Sequence, residues 1–308
     1  YASHGDTKHP LLFPASPREC FEMTALAFDL TEQLQTPVIV MTDLDLGMND
    51  HVTEPLTWDD TRKYDRGKYL TSEELDRIGS GTLMSAVSKT SAKTNGNAKD
   101  EMFVVMSELD GQANSDHSTT APLEQFKGKY GRYLDIDDDG IPYRTIPGAH
   151  ATRGAFVTRG SSRDEYAVYT EDGDAYRRNV DRLSRKWDTA KELVPSPKFF
   201  QEGNSSPNGV IFFGTSTYAA KEAIELLNEE GIVLDAMRPK AFPFGKTFVD
   251  FVSSHERVFV IEQNRDAQFK SLMMIELGVD PNKLVSVLNY DGTPITADEI
   301  LNQIKAGI

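Results

Sequence analysis

Three short stretches hold side chains able to do chemistry. His4-Gly5-Asp6 places an imidazole and a carboxylate two residues apart on a turn-prone, irregular segment. Such a pair can position a polar ligand or hold a proton. Asp45 and Asn49 follow the apolar run Val38-Ile39-Val40-Met41, at the carboxyl end of an expected buried strand. That is where α/β sheets keep their binding groups. Asp135, Asp137 and Asp139, followed by Gly140, set oxygens at alternate positions like the first half of a calcium loop. The last ligand position of such a loop would fall on Ile146, which cannot ligate, so a surface acidic turn is the simpler reading. A bound cation would take those three aspartates as structural ligands. Other patterns fail on inspection. Gly214-Thr215-Ser216-Thr217 has one glycine and no lysine, so it is neither a dinucleotide fingerprint nor a P-loop. Tyr218 after Thr217 rules out G-x-S-x-G, leaving a strand-to-helix turn whose hydroxyls can cap the helix. His4 and His9 lack metal-ligand spacing with any other His or Cys. Arg177, Arg178, Arg182, Arg185 and Lys186 read as a solvated helix face or as a dock for an acidic partner.

The elements that must position these residues are clearest between Gly209 and Gln263. Val210–Phe213 is an apolar run expected as a strand buried on both faces, and Ala219–Glu230 has apolar residues at helical spacing closed by Gly231. Ile232–Leu234 reads as a second strand, Phe248–Val252 as a helix and Val258–Ile261 as a third strand. Ala267–Leu277 is a helix stopped by Gly278, Leu284–Leu288 a strand, and Thr296 with Glu299 a capping box on the last helix. Strands and helices alternating this way predict an open, mainly parallel α/β sheet. Its sites would lie at Gly214–Thr217, Arg238–Phe244 and Glu262–Asn264. Upstream, Ser16 as N-cap, Pro17 in the first turn and Glu19 start a helix through Leu34. The domains expected are therefore residues 1–57, the end of one α/β domain; 58–208, an irregular connecting region with helices at Thr71–Ile78 and Ala175–Leu193; and 209–308, a second α/β domain. Gly79–Pro122, polar apart from Met102–Met106, reads as an insertion with one edge strand. Tyr1–Pro14 opens without a helical or strand lead-in, as expected of the C-terminal part of a longer polypeptide.

Composition narrows the function classes. A net charge of −15 argues against nucleic acid and anionic membranes, which need clustered cations. The single cysteine, Cys20, excludes a disulfide framework, a Cys-ligated zinc site and an iron–sulfur cluster held by this chain, and points to a reducing, cytoplasmic compartment. No apolar run approaches the roughly 20 residues of a membrane span.

Several stretches, in this order, resemble the α-subunit of 2-oxoacid:ferredoxin oxidoreductases, most closely the 2-oxoglutarate type. They are His4-Gly5-Asp6, Ser16–Phe21, Thr36–Asp43, Tyr64–Lys68, Gly131–Asp135, Ile141–Gly148, Arg159–Tyr166, Met237-Arg238-Pro239 and Val260–Asn264. Each alone is ordinary; their order along nearly the whole chain is specific, with Gly79–Pro122 the exception. The resemblance implies the remainder of a thiamine-pyrimidine-type α/β domain followed by a transketolase C-terminal-like parallel α/β domain. It implies a reaction in which a 2-oxoacid and coenzyme A give acyl-CoA and CO2, with electrons passed to ferredoxin. Thiamine diphosphate would supply the electron sink.

By the same resemblance, a β-subunit would carry the thiamine diphosphate, Mg2+ and a 4Fe-4S cluster in a dimer of heterodimers. The family's activating Glu and substrate-binding Thr lie in a Tyr-Pro-Ile-Thr-Pro region not found in this sequence. The chain alone is thus expected to be inactive. His4, Gly5 and Asp6, then Asp45 and Asn49, are the residues expected near substrate or cofactor. No catalytic acid or base is carried over. Two alternatives stay open: another thiamine-dependent enzyme such as an oxoacid dehydrogenase, and a non-catalytic subunit-assembly domain.

Overall fold

The computed structural model describes residues 6–79, 123–201 and 206–308. His4 and Gly5 lie outside the described residues, as does the expected insertion from residue 80 to 122. The chain divides into two compact units, Tyr1–Asp65 with Ala190–Ile308, and Arg66–Thr189.

In the first unit, β1 (Leu11–Leu12) leads into α1 (Pro17–Leu34), then β2 (Ile39–Val40) and the short α2 (Leu44–Met48). Ser16 caps α1 as its spacing predicts, accepting from the Glu19 N–H at 3.2 Å. Glu19 does not close a reciprocal box. It accepts instead from the Ala15 N–H, at 2.9 Å, and from Arg238. β2 is shorter and more open than expected: Ile39 is exposed, and Met41 just beyond it is 45% exposed. β2 pairs parallel with β1, and β1 pairs antiparallel with β6 (Ala241–Phe242), so segments far apart in the chain share one small sheet.

The larger sheet contains β3 (Lys198–Gln201), β4 (Asn208–Ile211), β5 (Asp235–Arg238), β7 (Arg257–Glu262) and β8 (Leu284–Leu288). Their spatial order is β3-β5-β4-β7-β8, with β3 antiparallel at one edge and the other four parallel. The parallel α/β expectation holds. One strand moves: Ile232–Leu234 is not β5. The N–H of Ile232 bonds the Leu227 carbonyl and that of Gly231 bonds Asn228, a Schellman closure of α5 (Ser216–Glu229). The Val233 carbonyl accepts from the Ser206 hydroxyl, so the ladder begins only at Asp235.

Side chains alternate across this sheet as the pleat requires. Val210, Phe212, Phe259, Ile261 and Val287 form one core with α5 and α8 (Ala297–Gly307), whose capping box at Thr296 and Glu299 is present. On the opposite face, a Cβ on Gly209 would stand 3.0 Å from the Phe251 ring of α6 (Lys246–Ser254). Phe213 packs on Phe269 of α7 (Gln268–Leu277), with ring centroids 4.7 Å apart. Helices thus cover both faces, which explains why the central strands read as unbroken apolar runs.

The second unit holds α3 (Ser72–Ile78), with a capping box formed by Thr71 and Glu74, and most of α4 (Gly173–Leu193). Its core gathers Leu70, Leu75, Ile78, Phe126, Tyr130 and Tyr143. The span Tyr130–Gly160 contains no named strand or helix.

Candidate functional site

In the larger sheet β4 is followed to one side by β5 and to the other by β7, so the strand order reverses between β4 and β7. The crevice outside their carboxyl ends is the expected ligand position in such sheets. Thr215 sits just past β4 and Gln263 just past β7, and the Gln263 amide donates to the hydroxyls of Thr215 (3.3 Å) and Ser216 (3.2 Å). Its carbonyl accepts from the Ile295 N–H at 3.1 Å. Beside it, Glu262 is fully buried and accepts from the N–H groups of Phe269 (2.6 Å) and Lys270 (3.0 Å), which places a carboxylate on the first turn of α7.

A third loop reaches the same place from the other sheet. Asp43, which caps α2 through the Leu46 N–H (2.8 Å), accepts with its second oxygen from both the N–H (2.9 Å) and the hydroxyl (2.8 Å) of Thr215. The sequence reading gave these turn hydroxyls to the α5 cap. Thr215 makes no such cap, because its hydroxyl is committed to Asp43. Gly214 is what lets the carboxylate approach: its φ is +59°, and a Cβ there would lie 2.7 Å from Asp43 Oδ2.

The clasp frames a cavity of about 340 Å³ of mixed lining, with Asp45, Asn49, His51, Thr215, Tyr218 and Gln263 beside Ala219, Pro294 and Ile295. The structure thus brings Asp45 and Asn49 together, 3.4 Å between the Asn49 amide and the Asp45 carboxylate, on the wall of a real cleft. Asp6 is exposed on a turn and is not on this wall. His51 and Tyr218 escaped the sequence reading, whereas Gln263 falls within the expected site stretch Glu262–Asn264. His51 Nε2 is buried without a hydrogen-bond partner, and its ring lies 5.9 Å from that of Tyr218. Nothing local marked His51, since it lies on an irregular segment beyond the short α2. Burial, then the Glu19 charge, raises the Tyr218 phenol pKa. Burial, then Asp43 and Glu19, likewise pushes the Cys20 thiol pKa up.

This lining can hydrogen-bond a ligand and accept a proton at an imidazole. It contains no Lys or Arg and carries the Asp45 carboxylate, so it suits the amino-bearing edge of an aminopyrimidine and does not suit an anionic diphosphate. The neighbouring Thr217 hydroxyl, outside this lining, is buried and donates to the Gly214 carbonyl at 2.7 Å, so it is not presented as a nucleophile. A second, more apolar cavity of about 670 Å³ lies beside it, walled by Phe13, Phe213, Phe242 and Phe269, with Lys8, His9, Asn264 and Glu276 among its polar residues.

In the second unit, Asp135, Asp137 and Asp139 bring carboxylate oxygens within 4.8 Å of one another. The protein supplies cations of its own there. Lys68 Nζ donates to Asp137 (2.8 Å) and Asp139 (2.6 Å), and Arg185 to Asp135 (2.9 Å). A divalent ion would have to displace that ammonium. Wild-type melting temperature is therefore expected to move by less than about 1 °C between EDTA and millimolar Ca2+. In K68M, which takes the ammonium away from Asp137 and Asp139, Ca2+ should raise it by several degrees. A calcium-dependent rise in the wild type would show the loop to be a metal site as it stands.

Residues 1–109 match the family model described as "Pyruvate flavodoxin/ferredoxin oxidoreductase, thiamine diP-bdg". Along 99% of its length the chain is 23% identical to 2-oxoacid:ferredoxin oxidoreductase 2, subunit alpha, of Aeropyrum pernix, covering 39% of that protein. Over 77 residues, 24% of the chain and 20% of the relative, it is 40% identical to 2-oxoglutarate synthase subunit KorA of Methanothermobacter thermautotrophicus. In fold it matches 2-oxoglutarate:ferredoxin oxidoreductase from Magnetococcus marinus, a structure with 2-oxoglutarate, coenzyme A and succinyl-CoA bound. The TM-score is 0.67 at 20% identity, over 99% of this chain and 43% of that one. The resemblance to 2-oxoacid:ferredoxin oxidoreductase α-subunits read from the motifs is borne out, and the chain spans less than half the length of these relatives. Among the described residues no helix is long and apolar enough to cross a membrane.

Proposed function

We propose that this chain is part of the α-subunit of a cytoplasmic, thiamine diphosphate-dependent 2-oxoacid:ferredoxin oxidoreductase of the 2-oxoglutarate type. Residues 1–57 would close its pyrimidine-side domain, 58–208 would connect, and 209–308 would form a transketolase C-terminal-like domain. The observation that carries this reading is that Asp45, Asn49 and His51, all inside the segment matching the thiamine diphosphate-binding family, line the switch-point cavity. When bound, thiamine diphosphate supplies the electron sink for decarboxylation. This chain's part is to present neutral polar groups and one carboxylate to the oxoacid or the cofactor's aminopyrimidine. A β-subunit would hold the diphosphate, Mg2+ and the 4Fe-4S cluster that feeds ferredoxin, in keeping with a cavity without cations and a chain with one cysteine.

The test is to co-express the full-length parent of this chain with its genomic neighbour and follow coenzyme A-dependent reduction of a viologen dye. 2-Oxoglutarate should drive turnover that requires both chains and thiamine diphosphate, ahead of pyruvate and a branched-chain oxoacid. In that complex N49A, which removes one hydrogen bond worth about 1 kcal/mol, should raise the KM for the oxoacid roughly fivefold. A cluster-loaded complex inactive with every oxoacid would mean that the chain serves assembly alone.

A further inference from the structure

The sequence allows two readings of the basic residues of α4, a dock for an acidic partner or a solvated face. Arg177, Arg178 and Arg185 fit that picture, each paired with a carboxylate: Asp174, Glu165 and Asp135. Arg182 and Lys186 do not. Arg182 is 8% exposed; its Nη1 donates to the Gly140 carbonyl at 2.9 Å, while its Nε is buried with no partner. Arg132 approaches from the loop before the aspartates, with Nη1 likewise buried and unpartnered. The guanidinium carbons of Arg132 and Arg182 lie 5.2 and 5.8 Å from the centroid of the Tyr133 ring, and that of Arg163 lies 5.9 Å from it.

No carboxylate among the described residues acts on Arg132 or Lys186. The one that acts on Arg182, Asp135, is engaged by Arg185 and by the Gly140 N–H. Burial, reinforced by Arg182 and Arg132, pulls the Lys186 amine down to about 8. The cluster cannot easily spread apart. Gly140 presses on the α4 backbone so closely that a Cβ there would fall 2.1 Å from the Lys186 backbone nitrogen, which fixes the helix positions that carry Arg182 and Lys186. Cations buried without counter-charge cost several kcal/mol each, and cation–π contacts of about 1 kcal/mol offset little of that.

We propose that Arg132, Arg182 and Lys186 form a binding site for a phosphate-class oxyanion of a small molecule. Two guanidinium forks and an ammonium on three separate side chains suit a tetrahedral group with several acceptor oxygens better than a planar carboxylate, which one fork saturates. The chain as a whole carries a net charge of −15, so diffuse attraction does not draw anions to it. Any saturable uptake reports local donors.

Thermal unfolding and titration calorimetry on the full-length protein at pH 7 test this, with inorganic phosphate, pyrophosphate and AMP as probes and sodium chloride at matched ionic strength as control. Phosphate or its ester should bind saturably and raise the melting temperature by about 3 °C at a tenfold excess over Kd. Tighter binding of AMP than of phosphate would identify an ester as ligand; the reverse would identify the free anion. K186M and R132M should lose the response. K186M alone decides the matter if R132M does not fold, and without phosphate it should be at least as stable as the wild type. An equal phosphate response in K186M, a chloride response of the same size, or no response to any probe overturns the site. So does stabilisation by a glutamate-rich peptide but not by phosphate, which would make the cluster a protein-docking patch.

Discussion

Replacing Asp43 by alanine is expected to lower the unfolding free energy by about 2–4 kcal/mol, the sum of a lost helix cap and a stranded buried donor. The carboxylate receives three hydrogen bonds from two loops, the Leu46 N–H on one side and the Thr215 N–H and hydroxyl on the other. Thr215 is 5% exposed, so water cannot easily replace the lost acceptor. A matching loss should follow from G214V. A β-branched side chain is strained at φ +59°, by about 1–3 kcal/mol, and its Cβ would collide with the same carboxylate oxygen. Because both changes break one clasp, D43A and G214V combined should cost well under the sum of the two. Urea unfolding measures all three. Additive effects would mean that Gly214 is needed for its backbone alone and that Asp43 does not press against it.

How much of this was legible in the sequence follows from the kind of interaction involved. Val210–Phe213 and Val258–Ile261 announced a doubly covered sheet because apolar runs without alternation have few other uses. Ser16, Thr71 and Thr296 announced helix starts because a cap is settled within four residues. β5 was displaced by three residues because the Schellman closure at Gly231 uses the backbone groups that the pattern assigned to a strand. Asp45 and Asn49 were found from their place after an apolar strand. Gln263 was legible the same way, after Val258–Ile261, whereas His51 and Tyr218 meet only through the packing of the segment after α2 on the helix after β4, a long-range contact that no local window contains. The same holds for α4, whose spacing put Arg182 and Lys186 among solvated arginines. Their burial comes from Gly140, more than 40 residues upstream, whose backbone packs on the helix.

Glu19 and Arg238 give the second large effect. Arg238 is 3% exposed and sends two hydrogen bonds, 2.8 and 2.5 Å, to the Glu19 carboxylate, joining α1 to the end of β5. E19Q keeps the shape and removes the charge, leaving a buried guanidinium uncompensated. It is expected to destabilise by about 3–5 kcal/mol, and E19Q/R238M should recover much of that by removing both charges. The pH dependence has a defined sign. Burial pushes the Glu19 carboxyl up, but the hydrogen bond from Arg238, then that from the Ala15 N–H, outweighs it and leaves the group below its ordinary 4.5. A carboxyl with a depressed folded-state pKa stabilises the fold fully above its unfolded value, and that stabilisation is lost as pH falls through the folded value. Wild-type stability should therefore drop below about pH 4.5 more steeply than that of E19Q, which has no such proton to gain. Parallel acid-unfolding curves for the two proteins would show that the pair holds its geometry without contributing its charge. The joint between α1 and β5 would then rest on the β1–β6 ladder and the packing of Leu12, Met23 and Ala241.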